Sequence, residues 1–311
     1  MTSLAISEGP ADKRILYAGC WDKTILSWEA STKNRLQRFQ GHTDFVKCVL
    51  WTKLGDKPVL ISGSADASII VWDAATGKRI HTLIGHSRAV LDLQLDPAWT
   101  HDPSKSKDEI FLFSADTVRE IKRWKISFDE AGKLLAATMS PHETSVNKLC
   151  FEAPTMSEEG VVDADLWTAS SDKTARHLVR SRNWEVDTTL EHPDFVRDVV
   201  LSSDGRWVVT ACRDEEVRVW DASSGKLACT YSGHYEEVTG LALVEHGRAV
   251  VSVSIDCTVR KWSLEAAEIQ KTREQAEKGE AEEEKAEEKP KESMLTAEEE
   301  AELADLMSDD E

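Results

Sequence analysis

The stretch DASIIVW, from Asp66 to Trp72, decides the fold because its pattern returns along most of the chain. An aspartate is followed by a short run of alternating residues and then by a large apolar residue, usually tryptophan. The other copies, in chain order, are DKTILSW (Asp22–Trp28), DTVREIKRW (Asp116–Trp124), DKTARHL (Asp172–Leu178), DEEVRVW (Asp214–Trp220) and DCTVRKW (Asp256–Trp262). A pattern repeated over such distances indicates a repeated architectural unit.

The spacing of the copies predicts the size of that unit. Successive aspartates are 44, 50, 56, 42 and 42 residues apart. Units of four strands repeat every ~40 to 45 residues. The polar loops PAWTHDPSKSKDE and EAPTMSEEGVVDAD account for the two longest steps. Short strand-like runs bounded by Asp, Gly and Ser recur between the copies, without ten-residue helical stretches, so the sequence predicts an all-β fold.

With this pattern the sequence resembles the WD-repeat (WD40) β-propeller family over about residues 2–264. The resemblance also rests on the Gly-His pairs Gly41-His42, Gly85-His86 and Gly233-His234, the variants Pro141-His142 and Glu191-His192, and the Trp-Asp pairs Trp72-Asp73 and Trp220-Asp221. It implies a β-propeller over residues 1–264, with six blades favoured and seven as the alternative. Residues 265–311 are expected to form an acidic, partly helical or disordered C-terminal tail.

The resemblance further implies a hydrogen-bonded chain inside each blade, which we call the brace. It joins a histidine before the first strand, a Ser or Thr in the second strand, the turn aspartate and the third-strand tryptophan. Three complete braces are expected: His42, Ser62, Asp66, Trp72; His192, Thr210, Asp214, Trp220; and His234, Ser252, Asp256, Trp262. Blades 1, 3 and 4 carry Ala18, Leu112 and Leu178 at brace positions and are expected to be less stable.

The two ends of the repeat leave ring closure open. MTSLAIS at the start matches VTGLALV (Val238–Val244), which makes it the innermost strand of blade 1. No upstream segment then supplies the outer strand of the last blade. Three solutions remain: EAAEIQKT provides that strand, the ring closes without it, or a partner donates a strand or a whole blade.

The stretches HTDFVKCV from His42 and HPDFVRDV from His192 place Phe-Val and a basic residue at the same distance from a brace histidine. In the family these positions line the top entrance of the central channel. The resemblance therefore implies a partner-binding top face: Trp21, Phe45, Lys47, Asn147, Phe195, Arg197, Arg213 and Glu237. Its aromatic and cationic side chains suit a peptide with hydrophobic and acidic groups. The alternative is that Phe45 and Phe195 pack between blades.

Charge divides the chain. The formal net charge is −19, and from Glu265 onward nineteen acidic and six basic residues give −13, which leaves −6 for residues 1–264. Residues 265–290 are predicted to form a charged spacer, because they contain almost no apolar side chains that could be buried. Residues 295–307 predict a short amphipathic helix that presents Leu303, Leu306 and Met307 to a groove-bearing or basic partner. Ser308, followed by acidic residues, is a candidate phosphorylation site. A merely solubilising acidic end is the alternative.

These features favour some functional classes over others. Six dispersed cysteines predict buried thiols in a reducing compartment, cytoplasmic or nuclear, without a disulfide or metal framework. No membrane span is expected, and a mildly acidic domain makes direct nucleic-acid binding an unfavoured reading. No catalytic or cofactor-binding signature is found. The sequence thus predicts a non-enzymatic protein-interaction scaffold or adaptor subunit. The alternatives are a ubiquitin-ligase substrate receptor and a chaperone of a basic client such as a histone or ribosomal protein.

Overall fold

The computed structural model describes residues 3–10, 13–100, 106–129, 132–156 and 162–287. Nearly all of its secondary structure is antiparallel sheet, and each large sheet is one blade. Blades 1 to 3 contain β1 (Ser3–Ile6), β2 (Ile15–Gly19), β3 (Thr24–Glu29), β4 (Arg35–Gln40); β5 (Val46–Leu54), β6 (Lys57–Ser64), β7 (Ser68–Asp73), β8 (Arg79–Ile84); and β9 (Val90–Leu95), β10 (Glu109–Asp116), β11 (Ile121–Ser127), β12 (Lys133–Met139).

The second half of the chain repeats this arrangement with one insertion. Blades 4 to 6 contain β13 (Val146–Phe151), β16 (Leu166–Ser170), β17 (Thr174–Val179), β18 (Glu185–Glu191); β19 (Val196–Leu201), β20 (Trp207–Cys212), β21 (Val217–Asp221), β22 (Leu227–Tyr231); and β23 (Val238–Val244), β24 (Ala249–Ser254), β25 (Val259–Ser263). The insertion in blade 4 is a separate hairpin of β14 (Thr155–Met156) and β15 (Val162–Asp163). It lies in one of the two polar loops that lengthen the repeat.

The blades are arranged around a centre, as the sequence predicts. Strands within each blade lie side by side in chain order, and the innermost strands pack in succession, β1 on β5, β5 on β9, β9 on β13, β13 on β19 and β19 on β23. The predicted all-β WD40 propeller is therefore confirmed. The sixth blade has three strands within the described residues, where the other five have four.

The hydrophobic core is divided among the contacts between blades. Five clusters of buried apolar residues each join two successive blades, from blades 1 and 2 to blades 5 and 6. Trp72 and Trp124 are among the largest fully buried side chains. Burying one large apolar side chain contributes roughly 1.5–3 kcal/mol, so these contacts supply most of the driving force for folding.

Each repeated aspartate shapes the turn between the second and third strands of its blade. Asp66 Oδ1 accepts a hydrogen bond from the Ser68 backbone amide at 2.9 Å, and Asp256 Oδ1 accepts one from Thr258 at 2.7 Å. The intervening residue is left-handed, with φ of 66° at Ala67. An aspartate whose side chain closes such a turn favours this conformation, which explains its place in the repeat.

The chain beyond blade 6 differs from the expected spacer. EAAEIQKT does not supply a fourth strand, because helix α2 (Ala266–Glu287) begins within it. The expectation that this segment has nothing to bury is wrong at Ile269, which is only 4% exposed and packs with Trp207 and Tyr231 of blade 5. The helix is thus attached to the propeller at its first turn. Among the described residues, which also include the short helix α1 (Pro97–Thr100), no helix is long and apolar enough to cross a membrane.

Candidate functional site

The brace of blade 2 forms a continuous hydrogen-bonded chain. His42 Nδ1 lies 3.0 Å from Asp66 Oδ2, and His42 Nε2 lies 2.7 Å from Ser62 Oγ. Trp72 Nε1 donates to the same Ser62 oxygen at 2.8 Å. With Nδ1 protonated toward the carboxylate, Nε2 accepts the hydroxyl proton, so every buried polar group has a partner. Blade 6 repeats this geometry at His234, Ser252, Asp256 and Trp262.

Blade 5 departs from the expected brace at its aspartate. His192 Nε2 bonds Thr210 Oγ1 at 2.8 Å, and Trp220 Nε1 donates to that oxygen at 2.9 Å. However, His192 Nδ1 donates to the Leu190 carbonyl, while Asp214 receives two hydrogen bonds from Arg218 at 3.0 and 2.7 Å. An arginine four residues after Asp214 explains the change, because a guanidinium pairs with a carboxylate through two parallel bonds.

Blade 3 has a complete brace, and the assignment of Leu112 to the hydroxyl position is wrong. His86 Nε2 lies 2.6 Å from Ser114 Oγ, Trp124 Nε1 donates to Ser114 at 2.7 Å, and His86 Nδ1 lies 2.8 Å from Asp116. The expected position is counted back from the aspartate, but Asp116 lies only two residues after Ser114, whereas Asp66 lies four residues after Ser62. The hydroxyl residue precedes the tryptophan by ten residues in blades 2, 3, 5 and 6.

Blades 1 and 4 lack part of the brace, as the sequence indicates. In blade 4, His142 bonds Asp172 at 2.8 Å and Thr168 at 2.7 Å, and the tryptophan is replaced by the buried Leu178. In blade 1 the hydroxyl position is the buried Ala18. Blade 4 therefore lacks only the tryptophan of the brace, whereas blade 1 lacks its hydroxyl.

We predict that Ser114→Ala destabilises the protein by roughly 1–3 kcal/mol, because it leaves buried groups of His86 and Trp124 without a partner. Chemical denaturation should show a loss similar to that of Ser62→Ala in blade 2. An unchanged free energy of unfolding would show that Ser114 does not complete a brace in blade 3.

The brace carboxylates make stability sensitive to acid. Burial alone would raise the pKa of Asp66, but hydrogen bonds from Ser68 and Thr43, together with His42, lower it to about 2. Burial lowers the pKa of His42 despite Asp66, which keeps the imidazole neutral at neutral pH. The pKa values of Asp172 and Asp256 are also lowered by such bonds, which outweigh burial.

We predict that Asp66→Asn lowers stability by roughly 2 kcal/mol at neutral pH. A folded-state pKa below the unfolded value gives stability that is present above about pH 4 and is lost as the pH falls toward 2. The difference between wild type and variant should therefore shrink over that interval in denaturation curves measured at several pH values. A constant difference would contradict this assignment.

Two groups of side chains lie close enough together to hold a metal ion. In the first, both ring nitrogens of His86 already bond Asp116 and Ser114, so its imidazole has no free ligand atom. In the second, His177 Nε2 lies 3.3 Å from Glu152 and 3.7 Å from Asp165. Burial opposes charging of His177, yet these carboxylates raise its pKa. The acidic neighbours therefore favour the protonated imidazole, whose Nε2 offers no lone pair to a metal ion.

The top face, as defined by the eight residues predicted above, lies where the innermost strands begin. The backbone amide of Ala65 donates to the Phe45 carbonyl at 2.8 Å, and Arg213 donates to Phe195 at 2.9 Å. The same bond joins Ile255 to Glu237. This repeated bond brings the turns and the strand starts of several blades to one side of the propeller.

Aromatic side chains are exposed at one part of the top face. Trp21 of blade 1 is 67% exposed and stacks on Phe45 of blade 2, which is 39% exposed, with ring centroids 5.7 Å apart. Phe195 is half-buried beneath two guanidinium groups, with Arg213 5.3 Å and Arg197 5.9 Å from its centroid. Phe45 thus contacts the neighbouring blade and also remains partly exposed to solvent.

Other predicted top-face residues are already engaged within the protein. Asn147 donates to the Val196 carbonyl at 2.7 Å and thereby joins blades 4 and 5. Arg197 forms an ion pair with Glu237, which is 16% exposed. Lys47 is half-buried. Tyr235 was not predicted as a top-face residue. It is 76% exposed and directly follows the brace histidine of blade 6. That position relative to His234 is the signal that could have found it.

The predicted tail sites fall elsewhere. Leu303, Leu306, Met307 and Ser308 lie outside the described residues.

Comparison with known proteins agrees with this architecture. The family model "WD domain, G-beta repeat" matches residues 33–73, 184–221 and 225–263. An uncharacterized WD repeat-containing protein of Schizosaccharomyces pombe is 37% identical over 95% of this chain and 72% of its own length. The chromatin assembly factor 1 subunit FAS2 homolog of Oryza sativa is 30% identical over 49% of the chain and 31% of its own length. The nuclear distribution protein nudF of Aspergillus niger is 33% identical over 41% of the chain and 27% of its own length.

The second and third relatives therefore match only in part, whereas the first matches along nearly the whole chain. That match, the three matched repeats and the braced four-stranded blades agree with one another. The chain belongs to the WD-repeat (WD40) family.

Proposed function

We propose that the chain is a non-enzymatic scaffold or adaptor subunit of an intracellular multiprotein complex, and that partners dock on the top face. The observation that carries the proposal is the exposed stack of Trp21 on Phe45. Large aromatic side chains exposed to solvent mark interaction sites, and together with arginine they dominate interface energies. Relatives named as chromatin assembly and nuclear distribution proteins are consistent with a nuclear or cytoplasmic location.

The buried hydroxyls support a non-catalytic role. Ser62, Ser114 and Ser252 are fully buried, and each already bonds an imidazole and an indole. A nucleophile needs an exposed oxygen beside an oxyanion site. The repeated Ser, His and Asp sets therefore stabilise blades.

The charged side chains of the top face define the class of ligand. Lys47 follows Phe45 by two residues, and the Arg213 side chain is 50% exposed. Arg197 is partly neutralised by Glu237. A partner peptide that combines a hydrophobic anchor with acidic side chains fits this surface.

Charge reversal tests that class of ligand. Lys47→Glu should weaken binding of an acidic peptide, whereas a basic peptide should gain affinity. Arg197→Glu is a poorer probe, because it also places a second carboxylate beside Glu237. If Lys47→Glu leaves the affinity unchanged, Lys47 is not part of the binding surface.

We further propose that the tail carries a second binding element at Leu303, Leu306 and Met307, with Ser308 as a phosphorylation site that weakens the helix, because a phosphate at its C-terminal end opposes the helix dipole. The test compares partners recovered by the full-length chain, a version ending at Pro290, and Leu303→Ala with Leu306→Ala. Identical partner lists from all three would rule out this role.

A second candidate function is a chaperone of a basic client such as a histone. Two observations favour it: the net charge of −13 from Glu265 onward, and the rice relative named as a chromatin assembly factor 1 subunit FAS2 homolog. An acidic segment attracts a basic protein through a salt-dependent interaction. Purified core histones should then bind the full-length chain much better than the version ending at Pro290, and equal binding would dismiss this candidate.

A further inference from the structure

The series of packed blades has two ends that do not meet. Each of the five apolar clusters joins two successive blades, and within the described residues none joins blade 6 to blade 1. The innermost strands β1 and β23 likewise do not pack as the five successive pairs do. Two blade faces that are covered elsewhere in the propeller are therefore uncovered here.

The first uncovered face belongs to blade 1. Leu4 pairs with Ala18, as Val49 pairs with Ser62 in blade 2, so Leu4 and Val49 occupy equivalent positions. The equivalent residues of the next four blades, which face the preceding blade, are at most 8% exposed: Val49, Leu93, Leu149 and Val199. Leu4 is 64% exposed, and Ile6 on the same face is 56% exposed.

The second uncovered face belongs to blade 6. Val259 pairs with Val253, as Ile69 pairs with Gly63 in blade 2. The residues equivalent to Val259 in the other five blades, which face the following blade, are at most 1% exposed: Ile25, Ile69, Ile121, Ala175 and Val217. Val259 is 68% exposed, and its neighbour Val253 is 40% exposed. These are the positions that a following blade would cover.

We propose that the space between blades 6 and 1 binds a β-sheet element of a partner protein, apolar on both faces, which packs there as a further blade. The occupant must contact two opposite apolar walls, and a sheet with two apolar faces does so. It also continues an interface that the chain builds five times, because each equivalent wall is covered by a blade. The site is distinct from the top face.

Residues 288–311 do not suit this space. Residues 288–311 contain ten acidic side chains and one β-branched residue, Thr296. Such a composition opposes a strand that is buried on both faces. A second copy offers the same two walls and, within the residues that the structure describes, no spare blade. Both occupants remain as outcomes of the test.

Site-specific photocrosslinking in cells that produce the full chain tests the proposal. Photoreactive benzoylphenylalanine replaces Leu4 or Val259, one on each wall, and Ile84, which is 82% exposed at the end of outermost strand β8, is the matched control. We expect both wall positions to crosslink to one segment of one partner protein, at residues with strand-like alternation, and well above the control. Crosslinks to a second copy, to residues 288–311, to unrelated proteins or at the level of the control would overturn the proposal.

A binding measurement completes the test. Leu4→Glu with Val259→Glu should reduce binding of the crosslinked segment by roughly tenfold or more, because each change places an unpaired carboxylate in an apolar contact. Both positions are exposed in the free protein, so the fold should persist, which circular dichroism checks. Phe45→Ala should leave this binding unchanged, and so separates it from the proposed top-face function. Unaltered affinity of the double variant would contradict docking between the walls.

Discussion

Trp220→Ala should lower the free energy of unfolding by roughly 3–5 kcal/mol. The Trp220 side chain is 8% exposed and packs between blades 4 and 5, and its indole donates to Thr210 Oγ1 at 2.9 Å. The substitution removes that contact area and deprives the buried Thr210 hydroxyl of a partner. The effect is large because packing and hydrogen bonding are lost at the same point.

Equilibrium chemical denaturation measures this loss, and the chain provides a matched control. Trp21→Ala makes the same chemical change at a side chain that is 67% exposed, so its effect on unfolding should be much smaller. A denaturation curve that Trp220→Ala does not move would refute the place of Trp220 in the brace.

Phe45→Ala with Phe195→Ala should abolish binding of the main top-face partner and leave the fold intact. Interface anchors of this kind each contribute about 2 kcal/mol or more. The structure separates the two residues, because Phe45 is more exposed and Phe195 lies under Arg213 and Arg197. The single variant Phe45→Ala should therefore carry most of the loss without a change in stability.

Calorimetric binding and thermal denaturation of the same variants distinguish the two roles of these rings. If the double variant unfolds, packing between blades is the principal role of Phe45 and Phe195. If it stays folded and still binds at full affinity, the partner docks elsewhere.

The fold could be predicted because several independent features of the sequence repeat together. Asp, the alternating strand residues and Trp recur at blade-sized steps, and each blade needs the same turn and the same buried contacts. The brace position of Ser114 could have been predicted from the same repeat. The hairpin fixes a spacing of ten residues from Ser114 to Trp124, as from Ser62 to Trp72, whereas the position of the aspartate within the turn varies.

Other features depend on neighbours that a sequence does not reveal. Arg218 takes Asp214 away from His192, and Asn147 bonds the backbone of the next blade. Ile269 is a lone apolar residue in a charged segment, and only the position of the helix against blade 5 makes it a buried one. For Asn147 and Ile269 a contact distant in sequence competes with the local pattern, and for Asp214 a neighbouring arginine does.

The central claim is that this propeller is a scaffold whose top face docks other proteins. Recovery of its partners from cells is the most direct test of that claim. Three baits are compared by affinity purification with quantitative mass spectrometry: the wild-type chain, Phe45→Ala with Phe195→Ala, and Ile84→Ala, whose site is 82% exposed on β8, the outermost strand of blade 2. We expect that the double variant, while folded, loses a defined set of partners that Ile84→Ala retains. Identical partner sets for all three folded baits would contradict it.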